Sequence, residues 1–181
     1  GAISGYYGRV VDAVIMTSLD IFMSVPALLF MMALVFALGA NFQNLMLALT
    51  LTFFTNYVRL VRAQVLNLSE QDYVEAAKAG GSRNFRIILS HIIPNAIGVI
   101  IVNVTLNIAK IILYESTLSF LSLGMPPPQP EWGLMLSEAR EFMRSSPHLM
   151  IFPALAIVLS ASSVNLVGDG LRDALDPHLK S

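Results

Sequence analysis

Long apolar runs alternate with short polar stretches along this chain, and the spacing of the breaks predicts helices of membrane length. The first complete run covers residues 19–40. About twenty residues at ~1.5 Å rise cross a hydrocarbon core of roughly 30 Å. Asp20 stands at its start, where an interface solvates it, and Pro26 is expected to kink it. After the uncharged turn Gly39-Ala40-Asn41, a second run covers about 42–62 and is closed by Arg59 and Arg62, whose long stems reach the headgroups. Ala63-Gln64-Val65-Leu66 contains no breaker, so this helix is free to continue. Further runs cover about 94–123 and 149–168. Ahead of them all, residues 1–18 mix Tyr6, Tyr7, Arg9 and Asp12 with Val14, Ile15 and Met16, the pattern of a membrane segment turning into an interfacial helix.

Between the second and third runs lies a polar island, residues 69–93. Ser69 followed three residues later by Asp72 reads as a helix-capping pair, and Gly80-Gly81 is expected to stop the short helix that carries Tyr73, Val74, Ala76 and Ala77. Ser82 can cap a second short helix running through Phe85, Ile87 and Ile88 towards Pro94, which with Gly98 interrupts the apolar region behind it. Residues 124–148 form a second polar segment. Its Met125-Pro126-Pro127-Pro128 start forbids helix, Trp132 suits an interface, and residues 134–144 read as a short amphipathic helix. The tail, 169–181, ends as a short helix stopped by Pro177.

Composition supports this division. The chain of 181 residues is 55% apolar, has a mean hydropathy of +0.68 and carries only 13% charged residues, which is too apolar for an ordinary soluble domain. A formal net charge of −1 gives no bulk attraction to nucleic acid. With no cysteine, disulfide frameworks and thiolate metal sites are excluded. The chain opens on Gly1-Ala2-Ile3 without Met or a signal pattern, and reads as the later part of a longer polypeptide.

The third run holds Asn103, Asn107, Lys110 and Glu115. Asn103 and Asn107, four apart, share a helix face, where their amides can bond another helix or line an aqueous path. Lys110 and Glu115 matter more, because a charge at bilayer depth costs on the order of 3 kcal/mol. Being five residues apart, about 140° around a helix, they are poor partners for each other. The four together are candidates for a translocation path.

Lys and Arg placement sets the sidedness. Arg9, Arg59, Arg62, Lys78, Arg83, Arg86, Arg172 and Lys180 gather on one side, against Arg140 and Arg144 on the other. The island and tail therefore face the cytoplasm, and the Trp132 segment faces outside.

No catalytic constellation accompanies these runs. His91, His148 and His178 are scattered without metal spacing, no Gly-rich phosphate loop is present, and Glu75 lacks an acid–base partner within the island. An integral-membrane enzyme is the weak reading. The island has instead the properties of a docking element, with small residues for close approach, one fixed charge at Glu75 and a turn at Gly81. Such an element can carry a rigid-body movement from a soluble partner into the spans.

Glu75-Ala76-Ala77, Gly81 six positions after the Glu, and then His91-Ile92-Ile93-Pro94 together resemble the EAA loop of permease subunits of bacterial ABC importers. His91 replaces the usual Ile and Ile93 the usual Leu, a variant similar to the oligopeptide/dipeptide/nickel branch. Leu118-Ser119-Phe120-Leu121-Ser122-Leu123-Gly124, the Pro127-x-x-Pro130-x-Trp132-Gly133 pattern and the stretch from Gly168 to Pro177 resemble the C-type subunit of that branch. The resemblance covers essentially the whole chain.

It implies an all-α integral membrane protein, a helical bundle of the binding-protein-dependent ABC importer permease type in the bacterial cytoplasmic (inner) membrane, with N-terminal spans absent from this chain. It further implies a second homologous permease subunit, two cytoplasmic ATPases that bind ATP and Mg²⁺, and an extracytoplasmic substrate-binding protein. Glu75, Ala76, Ala77, Gly81 and Pro94 would then couple to an ATPase, while this chain binds no cofactor or metal and is not itself an enzyme. Peptides or a related small solute are the implied cargo. Lys110 departs from the small residue expected there. A self-contained secondary transporter or channel using Lys110 and Glu115 is the competing reading, and a non-transporting membrane scaffold a third.

Overall fold

A computed structural model describes residues 1–175, and among these the chain is helical with no strand. In chain order the helices are α1 (Ala2–Tyr7), α2 (Arg9–Met23), α3 (Ala27–Leu38), α4 (Phe42–Ser69), α5 (Asp72–Ala79), α6 (Asn84–Ile87), a π-helical turn (Ile88–Ile92), α7 (Ile93–Phe120), α8 (Trp132–Ala139), a 3₁₀ turn (Arg140–Phe142) and α9 (His148–Leu175). The stop predicted at Pro177 and the end of the tail lie outside the described residues.

Three helical stretches are long and apolar enough to cross a membrane: Phe42–Ser69, Asn84–Phe120 and His148–Leu175. Together α2 and α3 pass the same test as a bent pair. The run expected at 19–40 is thus two helices, broken at Ser24-Val25-Pro26. Proline lacks an N–H and disfavours a helical residue before it, so it ends one helix and starts the next instead of merely kinking a single rod. The second run does continue past Arg62, to Ser69. Many apolar side chains are left uncovered, Phe36 at 83%, Leu166 at 73% and Phe152 at 68% among them. Surface of that kind is unfavourable in water and neutral against lipid tails.

The contacts gather in two compact units. The first comprises Gly1–Val25 with Phe53–Ile101, and the second Pro26–Thr52 with the chain from Val102 onward. In the first, Val65, Val74, Ile87 and Ile92 form a fully buried cluster that Ala2, Tyr6, Val61, Leu68 and Ala77 pack against. The core of the second includes Met31, Val35, Leu45, Leu118 and Ile157.

Helix α9 lies close on α7 at Gly168, where a Cβ would stand 2.7 Å from a Leu106 methyl. Close glycine contacts of this sort are how membrane helices gain dispersion energy without a hydrophobic drive between them. Among the described residues, every buried side-chain polar atom has a hydrogen-bond partner.

Candidate functional site

The island folds as a helix–turn–helix in the first unit. Asp72 and Glu75 occupy the first turn of α5 and Lys78 its last, which suits the helix dipole at both ends. Neither the Ser69–Asp72 capping pair nor the Ser82 cap forms. Ser69 is the last residue of α4, and its hydroxyl donates to the Val65 carbonyl at 2.6 Å. With no breaker before it, α4 runs on to Ser69, and a serine inside an intact helix turns back on the carbonyl four residues earlier. Gln71 takes the N-cap place of α5, and Arg83, not Ser82, that of α6; neither makes a side-chain cap bond.

The stop at Gly80-Gly81 forms as expected. Gly81 has φ +77°, the left-handed region that disfavours a side chain. Its N–H bonds the Lys78 carbonyl at 3.0 Å, and the Ser82 N–H bonds that of Ala77 at 3.1 Å. This pair of bonds closes a Schellman turn and satisfies carbonyls the helix end would leave open. Nothing lies within 4 Å of a Cβ built on Gly81, so its requirement is conformational and not steric.

Burial divides α5 cleanly. Val74 is fully buried and Ala77 partly, whereas Glu75, Ala76 and Ala79 are exposed. One face anchors the helix, and the other presents a carboxylate among small side chains. Pro94 sits at the second position of α7 and does not interrupt it. The π-helical turn ahead of Pro94 widens the ladder, with the Ile93 N–H reaching back five residues to the Ile88 carbonyl. That widening takes up the bond proline cannot make and the clash its ring would cause. His91 lies in this turn, and its carbonyl accepts from the Asn95 amide at 2.6 Å.

Of the predicted path residues, Asn103, Asn107 and Lys110 recur at i, i+4 and i+7 and share one stripe of α7. Asn103 and Asn107 are half-buried, and Lys110 is exposed. Glu115 is on another face and lines a cavity of about 360 Å³ in the second unit, together with Phe42, Met46, Met125, Glu131 and Trp132. The four residues therefore do not converge on a single face.

Sequence reasoning missed the role of Glu131, which is buried at 6% exposure. Its carboxylate accepts from the Ser119 hydroxyl and from the Met125 N–H at 3.1 and 3.2 Å, closing the segment between α7 and α8. It also missed two ion pairs in the first unit. Arg62 grips Asp12 through two bonds of 2.5 Å, and Arg59 pairs with Asp20. Partners 50 and 39 residues apart leave no local signal. The only hint was that acidic and basic residues flank successive runs.

The comparisons with known proteins agree with this architecture. Residues 1–181, the whole chain, match the family described as binding-protein-dependent transport system inner membrane component. The chain belongs to this family. Over all 181 residues it is 45% identical to a dipeptide transport system permease protein of Alkalihalophilus pseudofirmus, and 41% identical to a glutathione transport system permease protein of Pectobacterium atrosepticum. A dipeptide transport system permease protein of Haemophilus influenzae is 43% identical over 180 residues. The chain spans about 60% of the length of each of the first two and 61% of the third. Among the described residues it is all-α, as an inner-membrane component of that family.

Proposed function

We propose that this chain is the membrane-spanning part of a C-type permease subunit in an ATP-driven ABC importer, and that α5 is its coupling helix. Family membership supports the transporter class, and the division of α5 carries the assignment within the chain. A helix whose inner face is anchored at Val74 and whose outer face offers Glu75, Ala76 and Ala79 suits a groove on a rigid soluble partner. The partner of that chemistry is a cytoplasmic ATPase, which binds ATP and Mg²⁺. Its closure moves α5 and hence α4 and α7, to which the island is joined at both ends. A second homologous permease subunit and an extracytoplasmic binding protein complete the assembly. Peptides or a related small solute are the cargo, since relatives carry dipeptide and glutathione transport names. Lys/Arg placement puts the island on the cytoplasmic side and the Trp132 segment outside.

A secondary transporter built on Lys110 and Glu115 finds no support in the geometry, because the two residues lie on different faces of α7. The test uses the full-length permease with its ATPase subunits. A Gly81→Leu variant should lose ATP-dependent uptake and retain less ATPase on co-purification. Unchanged uptake and co-purification would overturn the coupling assignment.

A further inference from the structure

One short helix outside the island is bound to it more closely than its place in the sequence requires. Helix α1 (Ala2–Tyr7) is held against α4 by direct backbone contact. Gly1 and Gly5, four apart on one face, lie directly on α4. A Cβ on Gly5 would stand 2.8 Å from the Arg62 carbonyl oxygen and 3.0 Å from the Val65 Cβ, and one on Gly1 would stand 2.7 Å from the Val58 carbonyl oxygen. Only hydrogen fits between these backbones. At its far end α1 turns at Gly8 (φ 59°), and the Ser4 hydroxyl donates to Asp12 of α2, the carboxylate that Arg62 of α4 grips. These contacts join α1, α2 and α4.

From this fixed helix one side chain reaches both halves of the island. The Tyr6 ring packs on the Val65, Val74, Ile87 and Ile92 cluster and lies 5.6 Å beneath the Lys78 ammonium of α5. Its hydroxyl donates to the Asn84 side-chain oxygen of α6 at 3.1 Å. The two short helices also meet through Val74 and Ile87 in that cluster and at the turn through Gly80, Gly81 and Ser82, where Gly81 is open to solvent. We propose that Tyr6 is a positioning residue for coupling: it makes α5, α6 and α1 one body, so that movement of the island reaches α4 and α2 through α1 as well as along the chain. This rests on the coupling reading of α5 given above.

The test uses full-length permease assembled with its ATPase subunits in liposomes, carrying Tyr6→Ala or Tyr6→Phe. Backbone hydrogen exchange in residues 72–87 is expected to speed up roughly tenfold in Tyr6→Ala, with the spans unchanged. Tyr6→Phe keeps the ring and should speed exchange only near Asn84, by about threefold, the effect of one neutral hydrogen bond. ATP turnover stimulated by the binding protein, purified with whatever solute it carries, should fall about fivefold in Tyr6→Ala. The KM for ATP should stay unchanged, and Tyr6→Phe should recover most of the turnover. A merely structural role would lower the yield of assembled complex without altering the stimulation ratio. Unchanged exchange in Tyr6→Ala, or exchange raised equally throughout, overturns the proposal, as does faster island exchange with unchanged stimulation. Glu75→Ala, run beside it, tests the underlying reading separately. If that variant loses neither ATPase nor turnover, the coupling reading falls, and the exchange data still decide whether Tyr6 holds the island together.

Discussion

The island between α4 and α7 and the stretch from the end of α7 into α8 both turn on glycine, for opposite reasons. At Gly81 the backbone demands a positive φ and the space around it is empty. At Gly124 and Gly133 the demand is space. A Cβ would lie 2.4 Å from the Glu131 carboxylate at Gly124 and 2.2 Å from the Ser116 carbonyl oxygen at Gly133. One region stands open with a polar face, whereas the other is pressed onto α7 and tied by a buried carboxylate. An open, conformationally defined turn suits a surface that a partner must reach. A close-packed segment suits a part that keeps its shape.

Substitutions at these glycines sharpen the contrast. The largest effect is expected from Gly133→Ala, because its one added carbon meets backbone that cannot rotate away. Such overpacking costs about 3 kcal/mol, and the melting temperature of the purified full-length permease should fall accordingly. Next comes Ser119→Ala, which deprives buried Glu131 of a hydroxyl donor and should cost about 2 kcal/mol by the same measurement. Gly81 should behave differently again. With nothing nearby to strike, Gly81→Ala and Gly81→Leu should cost the same amount, about 1 kcal/mol of backbone strain, and Gly81→Asn less. A Leu variant much less stable than the Ala variant would mean the turn is packed and the contrast false. The smallest perturbation concerns sidedness. Single cysteines at Ser82 and Ser137 in this cysteine-free chain should react with an impermeant reagent in intact cells only at position 137. Reaction only at position 82 would reverse the topology.

What could be read from the residue pattern was whatever rests on short-range rules. Helix lengths, the stop at Gly80-Gly81 and the onward run of α4 past Arg62 follow from periodicity and the presence or absence of breakers. The capping role given to Ser69 failed because continuity of α4 overrode a local preference. The residue pattern predicts a break at Pro94, because a π-helical turn that accommodates proline leaves no mark in composition. The Arg62–Asp12 grip, the Glu131 anchor and the reach of Tyr6 to Asn84 depend on which helices become neighbours, and no local spacing encodes that. Glu75 and Gly81 could be singled out because the motif that carries them is contiguous. Lys110 and Glu115 share a high cost in a membrane, a property that says nothing about the face each occupies.

Whether the exposed face of α5 seats in an ATPase is decided by cross-linking. Ala76→Cys in the full-length permease should form a specific cross-link through a short bifunctional reagent to a co-expressed ATPase subunit, and Ser137→Cys should form none. Absence of any Ala76→Cys product from an intact, active complex would mean that α5 does not seat in the ATPase.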